Sequence, residues 1–446
     1  MNFRTLNKTL LAAMLAAGIC MPAHAGEAEL LQRIDKLAAE LEAIKAELAA
    51  TRAKAEKAQT EAKAASDTAA QVSRAQVAAA NPDNVVEQVA ALRQTVQQTR
   101  LSSYGEVAYT RPKNASDQAQ TDVARVVLGA THRFNEKIKM VAELEVEHAV
   151  TSKDDSGEVA VEQAYVEHEL MPGLQAKAGL FLMPVGFMNT SHEPTAYFGV
   201  HRNLVETTII PTTWREAGFG LSGQLDNGLS WDAGLTTGFN LNKWDATKTE
   251  GRESPLASIH QEGQQAKSRD LSVHGALNYR GIPGVLVGGS VFTGKLGHGT
   301  ADFPGNDARL TLWEIHGRYN PGKLDLSALF SRGSISNTAV LNQTLAGQPA
   351  PVPSSFDGWY VQAAYQLWKQ GDYTVLPFLR YERFNTAKSY EGLVTGFGIA
   401  PLATETVTTL GLSFKITDGV VLKADYQKFN QDNSRDRFNL GVGYSF

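Results

Sequence analysis

Arg437-Phe-Asn-Leu-Gly-Val-Gly-Tyr-Ser-Phe446, the last ten residues, is the stretch that decides the fold. Large apolar side chains stand at every second position, and arginine, asparagine, glycine and serine stand between them. Successive side chains of a β-strand point to opposite faces, so this strand has one apolar and one polar face. A strand of this length with an apolar outer face and a polar inner face is typical of the wall of a transmembrane β-barrel.

The same alternation recurs upstream, for example over residues 229–240 and 271–280, and the connections between such segments alternate in length. Short turns rich in Asn, Asp, Gly or Pro are predicted at 134–137, 171–173, 226–228, 281–284, 320–323, 369–372 and 418–419. Longer connections are predicted at 111–121, 149–157, 183–216, 241–268, 297–307, 334–354, 386–403 and 431–434. This alternation predicts an all-β, antiparallel transmembrane barrel of about 16 strands over residues 101–446.

The composition of the 446 residues excludes several other classes of protein. There are 42 basic and 47 acidic side chains, a net charge of −5, and one cysteine, Cys20. A general nucleic-acid binder needs an excess of cations to neutralise phosphates, so no nucleic-acid partner is predicted. A single cysteine excludes a disulfide scaffold and a cysteine-rich zinc module.

The first 25 residues have the features of a secretory signal peptide. Arg4 and Lys8 provide the positive start, residues 9–20 are apolar, and Ala23-His24-Ala25 is a small-x-small cleavage sequence. The apolar run is too short to span a bilayer as a helix. We therefore expect residues 1–25 to be removed on export from the cytoplasm.

Residues 26–80 carry an a/d heptad pattern, which predicts an α-helical coiled coil in the periplasm. Its apolar positions are Leu30, Ile34, Leu37, Leu41, Ile44, Leu48, Thr51, Ala55, Ala58, Ala62, Ala65, Ala69 and Val72. The alternative is a lone solvated helix or a flexible alanine-rich spacer. Pro82 is expected to end this helix, and residues 81–100 are predicted to form a linker and a second short helix.

The longest predicted connection, residues 183–216, lies between the fifth and sixth strands. It is framed by Gly179-Leu-Phe-Leu-Met-Pro184-Val-Gly186, followed by His201-Arg-Asn-Leu-Val-Glu206 and then Pro211-Thr-Thr-Trp-Arg215-Glu-Ala-Gly218. These motifs and the strand layout resemble the phosphate-selective porin O/P family. The resemblance implies a passive, trimeric outer-membrane channel whose loop folds into the lumen and carries basic residues at the constriction.

The positions that match the family's basic residues are Arg202 and Arg215, and His201 and Glu206 complete the predicted constriction set. Arg215 has an alternative role, in which it fastens the loop to the barrel wall by hydrogen bonds.

The polar faces of the strands predict which charged side chains line the pore. The basic set is Arg125, Lys177, Arg280, Arg318 and Lys423. The acidic set is Glu143, Glu145 and Glu147 on the third strand, which are expected to face Glu167 and Glu169 on the fourth. Basic and acidic inward positions nearly balance, whereas strict anion selectivity requires rings of one sign.

The sequence therefore predicts an outer-membrane porin for passive diffusion of small hydrophilic solutes or anions such as phosphate. The expected partners are outer-membrane lipid, two further copies of the chain in a homotrimer, and periplasmic or cell-wall material at the coiled coil. The alternative is a structural envelope tether, in which the barrel anchors the coiled coil. No enzymatic activity, cofactor or metal site is predicted, because Gly-x-Ser-x-Gly, His-Glu-x-x-His and ligand-spaced histidines are absent from the sequence.

Overall fold

The structure is a computed structural model that describes residues 42, 45, 49, 53, 57, 60, 63, 98–152, 157–393, 396 and 399–446. The chain divides into two compact units, Met1–Arg93 and Gln94–Phe446. In the first unit the described residues are helical and exposed, and Lys45 Nζ lies 2.7 Å from Glu42 Oε1. The signal peptide, most of the coiled coil and nearly all of the linker lie outside the described residues, and they stay predictions.

In the described part of the second unit, 17 strands form one antiparallel sheet, and β1 closes it by pairing with both β2 and β17. The strands are β1 (Thr99–Pro112), β2 (Gln120–Arg133), β3 (Ile138–Glu147), β4 (Val159–Met171), β5 (Leu174–Leu182), β6 (Arg215–Gln224), β7 (Leu229–Thr236), β8 (Ser272–Tyr279), β9 (Val285–Lys295), β10 (Arg309–Tyr319), β11 (Leu324–Ser336), β12 (Pro353–Tyr365), β13 (Trp368–Gln370), β14 (Tyr373–Tyr390), β15 (Glu405–Thr417), β16 (Val420–Phe429) and β17 (Arg437–Ser445).

The strand β13 continues the line of β12 rather than adding a further position to the wall. Both pair with β14, and only Gln366 and Leu367 separate them. The described residues therefore form a closed transmembrane barrel with 16 strand positions, as the sequence predicts. Among these residues, no helix is both long and apolar enough to span a membrane.

Tight turns join the strands at one end of the barrel, the turn end, and longer connections join them at the other, the loop end. All the predicted short turns are confirmed between consecutive strands, and Gly228 and Gly284 supply the positive φ angles, 85° and 75°, that two of them require. The loops contain α1 (Glu250–Glu253), α2 (Ala339–Thr344), a π-turn (Val205–Ile209) and 3₁₀ turns at Ser116–Gln118, Leu241–Lys243, Ala257–Ile259 and Asn433–Arg435.

The outer face of the barrel is apolar and accessible, whereas the inner face carries the buried polar groups. Leu128, Ile315 and Leu410 are 58–62% exposed on the outside. On the inside, Glu314 and Glu382 are at most 1% exposed. A monomeric soluble protein rarely exposes such a large apolar surface to water, so this face contacts lipid or protein.

Candidate functional site

The connection between β5 and β6, residues 183–214, folds into the lumen and crosses it. Its π-turn packs on β12, where a Cβ at Gly358 would lie 3.1 Å from Ile209 and 3.3 Å from Val205. Glycine at this position lets the loop approach the wall closely. Val205, Ile209 and Trp214 are buried in an apolar cluster that fills part of the lumen.

Hydrogen bonds fasten the loop to the wall opposite its origin. The backbone N–H of Leu204 donates to Glu382 of β14 at 2.6 Å, and that of Val200 donates to Asp425 of β16 at 2.6 Å. Acidic side chains of the wall thus satisfy backbone donors that would otherwise be buried without partners.

A second set of contacts fastens the loop near β1, β2 and β4. The His192 ring lies 2.5 Å from Glu162 and 2.6 Å from the Tyr104 hydroxyl, and Arg125 donates to the His192 carbonyl at 2.8 Å. All four side chains are almost completely buried. Arg125, predicted to line the pore, therefore holds the loop in place.

Glu206 organises the loop from within. Its carboxylate accepts hydrogen bonds from the backbone N–H groups of Phe187 and Met188 and from the side chains of Asn203 and Tyr360, at 2.6–2.9 Å. Burial raises the pKa of the carboxyl, and these bonds counteract part of that rise. Glu206 is 2% exposed and does not face open water.

Two cavities lie on opposite sides of the loop, and Tyr197 lines both. The loop-end chamber has a volume of about 430 Å³ and the turn-end chamber about 300 Å³. The Tyr197 hydroxyl donates to Glu106, and the Lys423 ammonium lies 3.6 Å from the centroid of the Tyr197 ring. The ring therefore stands at the boundary between the two chambers.

The loop-end chamber is lined by both signs of charge. His201 and Arg202 reach it, together with Arg125, Arg437, Glu106, Asp122 and Glu147. His201 bonds Thr110 at 2.9 Å, and burial and the nearby Arg437 lower the pKa of His201, so its ring is neutral at pH 7.

Arg215 faces an acidic side pocket of about 190 Å³ rather than the loop-end chamber. Its guanidinium lies 3.1 Å from Glu262, and the pocket is also lined by Glu145, Glu147 and Glu158. Arg215 is 6% exposed and donates to the Thr213 carbonyl. The carboxylates around Arg215 neutralise its charge, and the contacts agree with the fastening role.

The turn-end chamber contains the basic side chains Arg280 and Arg318 in its lining and no carboxylate. Arg318 forms a bidentate pair with Asp325, with nitrogen–oxygen distances of 2.5–3.1 Å. Arg280 forms no ion pair with any residue that the structure describes. Arg280 therefore provides the uncompensated positive charge of this chamber.

The remaining predicted wall residues are mostly paired. Lys177 lies 2.8 Å from Asp232, and Lys423 is 5% exposed beneath Tyr197. Glu145 is 3% exposed near Arg125, and Glu143 accepts a hydrogen bond from Gln163.

The predicted facing of Glu143, Glu145 and Glu147 with Glu167 and Glu169 is wrong. Glu167 lies opposite Lys139, at 2.8 Å from its ammonium, nearer the turn end. A β-bulge between Glu143 and Leu144 shifts the pairing of β3 with β4. Glu162 consequently points inward, although strict alternation places it outside.

Tyr197, His192, Glu162 and Glu262 are site residues that the sequence reasoning missed. Tyr197 and His192 lie in an irregular loop, where no repeating sequence pattern indicates which way a side chain points. Among the described residues, no cluster of histidine, cysteine or carboxylate side chains has an arrangement that would hold a metal ion.

Comparison with solved structures identifies the fold. Salmonella typhi OmpF, in a complex with daunomycin, superimposes with a TM-score of 0.54 at 15% identity, covering 78% of this chain and 97% of OmpF. The barrel shares the fold of OmpF. The outer-membrane channel DcaP of Acinetobacter baumannii gives 0.48 at 12% identity, over 78% of this chain and 97% of DcaP. The trimer form of OmpT, an outer membrane protein of Vibrio cholerae, gives 0.47 at 11%, over 78% of this chain and 99% of OmpT.

Comparison of sequences finds a relative of undefined role. A protein of Aquifex aeolicus (strain VF5) described as uncharacterized is 27% identical over 345 residues, which cover 75% of this chain and 77% of the relative. No family model matches the chain. The resemblance to the phosphate-selective porin O/P family therefore stays a prediction.

Proposed function

We propose that the protein is an outer-membrane porin through which small hydrophilic solutes diffuse passively. The observation that carries this proposal is the pair of polar chambers separated by Tyr197 in the lumen of a porin-type barrel. Solutes enter the loop-end chamber, pass the Tyr197 ring and leave through the turn-end chamber. Purified full-length protein in a planar bilayer should conduct ions, and a barrel that is folded but does not conduct contradicts the proposal.

The ion preference of the channel is proposed to come from Arg280. The turn-end chamber holds this unpaired cation, whereas charges of both signs line the loop-end chamber. A single uncompensated guanidinium gives a weak preference for anions rather than the strict selectivity of a ring of cations. Phosphate is thus one permeant anion among others.

The Arg280→Gln variant should shift the reversal potential in a KCl gradient toward cation preference, with the barrel intact. Lys323→Gln is the matched control, because Lys323 is an exposed cation in a tight turn and does not line the chamber. Its reversal potential should equal that of the unsubstituted protein. Equal potentials for all three proteins would contradict the role of Arg280.

A homotrimer is proposed because one arc of the outer wall lacks the features of a lipid-facing surface. Aromatic side chains favour the membrane interface, yet the outward face of β2–β5 carries none. Register aligns Ala130, Ala142 and Ala164 there in a row of small side chains, and Leu128 and Leu144 lie beside it. Outward aromatic side chains lie on other strands, including Trp231, Trp313, Phe330, Trp359, Tyr381, Phe414 and Phe438.

Tryptophan at Ala142 should dissociate the trimer, because the indole ring would stand in the middle of the close-packed alanine row. Ala328→Trp is the control, since Ala328 faces outward on β11 beside Val361. Crosslinking and light scattering in detergent would measure the oligomer. A trimer that survives Ala142→Trp and dissociates in Ala328→Trp would place the interface on the other side of the barrel.

The N-terminal part of the proposal rests on the sequence alone. After removal of residues 1–25, residues 26–80 form a periplasmic coiled coil that adds to trimer stability, and residues 81–100 link it to the barrel. The channel is a passive pore rather than an enzyme. The alternative function, a structural envelope tether, requires the coiled coil but does not require the barrel to conduct ions.

A further inference from the structure

We propose that four cations on the outer surface bind phosphorylated lipid headgroups of the outer leaflet. The cations are Arg309 on β10, Arg332 on β11, Arg383 on β14 and Lys428 on β16, all in the loop-end half of the wall and all exposed. We call these four residues the basic collar. Their role goes beyond the channel and rests only on the proposed outer-membrane location.

Burial of the neighbouring residues shows that the collar points outward. Arg309 lies between Ala308 and Leu310, which are completely buried. Likewise, Arg332 follows buried Ser331 and precedes buried Gly333, Arg383 lies between Glu382 and Phe384, and Lys428 lies between Gln427 and Phe429. Since side chains alternate along a strand, each buried neighbour faces the lumen and each cation faces the membrane side.

The collar begins at the level of the aromatic side chains that mark the interface. Arg332 is the cross-strand partner of Trp313, and Arg383 is the partner of Trp359. Trp313 packs on Phe330 with ring centroids 5.3 Å apart. Tryptophan rings favour the headgroup level, so the guanidinium groups beside and beyond them lie where lipid phosphates are found.

The collar cations differ from other cations nearby in having no anionic partner in the described part of the protein. Lys295 lies 3.0 Å from Asp307, and Lys388 is paired with Asp357. A strand separates Arg332 from Arg383 and another separates Arg383 from Lys428, spacings of roughly 10 Å. Guanidinium groups bind phosphate oxygens in a bidentate manner, and unpaired cations at this depth attract anionic headgroups.

The opposite arc of the wall shows that the feature is local. The outward rows at the loop end of β2–β4 consist of Val126, Val146 and Val159 and of Leu128, Leu144 and Val161, without a cation. The loop-end half of the arc proposed to face other copies of the chain thus lacks both the aromatic and the basic side chains. A collar confined to the remaining arc fits a lipid partner.

The test uses the full chain in detergent, with bound diphosphoryl or monophosphoryl lipid A counted by native mass spectrometry. The collar variant is R309Q/R332Q/R383Q/K428Q, and the charge-matched control is R133Q/K137Q/K323Q/K369Q, which alters exposed cations at the turn end. Because the collar variant loses four cations at the level of the lipid phosphates, we expect it to bind diphosphoryl lipid A at least tenfold more weakly. The turn-end control should bind within about twofold of the unsubstituted protein, because its cations lie away from the collar.

Equal binding by the collar variant and the unsubstituted protein, or equal loss in both variants, would overturn the proposal. Monophosphoryl lipid A should bind more weakly than the diphosphoryl form, and equal binding would also overturn it. If the fourfold variant does not fold, R332Q alone should weaken binding about fivefold. If the protein conducts but the collar variant binds lipid A normally, the lipid-binding proposal is wrong and the channel proposal stands. If the protein binds lipid A through the collar but does not conduct, the channel proposal is wrong and the lipid-binding proposal stands.

Discussion

Replacing Tyr197 with alanine is expected to raise the single-channel conductance about twofold or more, because the narrowest cross-section limits the current through a pore. The phenol ring lines both chambers and is itself only 8% exposed. Removing the ring joins the chambers into one wider passage. Planar-bilayer recordings at fixed salt would measure the change.

Tyr197→Phe is the matched control for this experiment. It keeps the ring above the Lys423 ammonium and removes the hydroxyl that donates to Glu106. Its conductance should stay close to that of the unsubstituted protein if ring volume limits the current. An unchanged conductance in Tyr197→Ala would move the narrowest point elsewhere in the lumen.

The ion preference of the loop-end chamber is expected to depend on pH, because His201 lines this chamber. Burial and the nearby Arg437 hold the pKa of His201 below the ordinary value near 6.5, so the ring is neutral at pH 7 and becomes charged only in acid. Protonation adds a cation beside Arg202 and Arg437. The reversal potential in a KCl gradient should therefore shift toward anion preference in acid, and His201→Asn should make that shift smaller, because Glu106, Asp122 and Glu147 of the same chamber also lose charge in acid.

The sequence predicts the barrel well because alternation and turn chemistry are local signals. Each tight turn has its own Asn, Asp, Gly or Pro residues, and each strand shows its two faces over about ten residues. These local signals do not predict strand β13 or the bulge at Glu143. Both arise from pairing between strands, which no single segment determines.

The site is predicted only in part, because residue type does not determine burial. Arg202 and His201 reach the loop-end chamber, as a constriction loop requires. Glu206 and Arg215 are instead paired with groups of the loop and its surroundings. Whether a charged side chain faces water or a backbone N–H depends on the path of an irregular loop. That path follows from packing against distant residues such as Gly358 and Tyr360.

Replacing Glu206 with alanine is expected to release the loop from the wall. The variant leaves the N–H groups of Phe187 and Met188 and the side chains of Asn203 and Tyr360 without their acceptor. Unpaired buried donors cost about 1–3 kcal/mol each, so the folded loop should lose about 3 kcal/mol or more. Limited proteolysis of the folded barrel would show cleavage within residues 183–214, and single-channel recordings would show larger and noisier currents.

Two further variants separate the anchoring role of Glu206 from its charge. Glu193→Ala removes a carboxylate from the same loop that accepts no hydrogen bond from the described residues, and it should leave proteolysis unchanged. Glu206→Gln keeps one oxygen for Phe187 and Met188, and the Tyr360 hydroxyl can accept from the new amide, so an intermediate effect is expected. If Glu206→Ala resists proteolysis as well as Glu193→Ala does, the apolar contacts of Val205 and Ile209 hold the loop without the carboxylate.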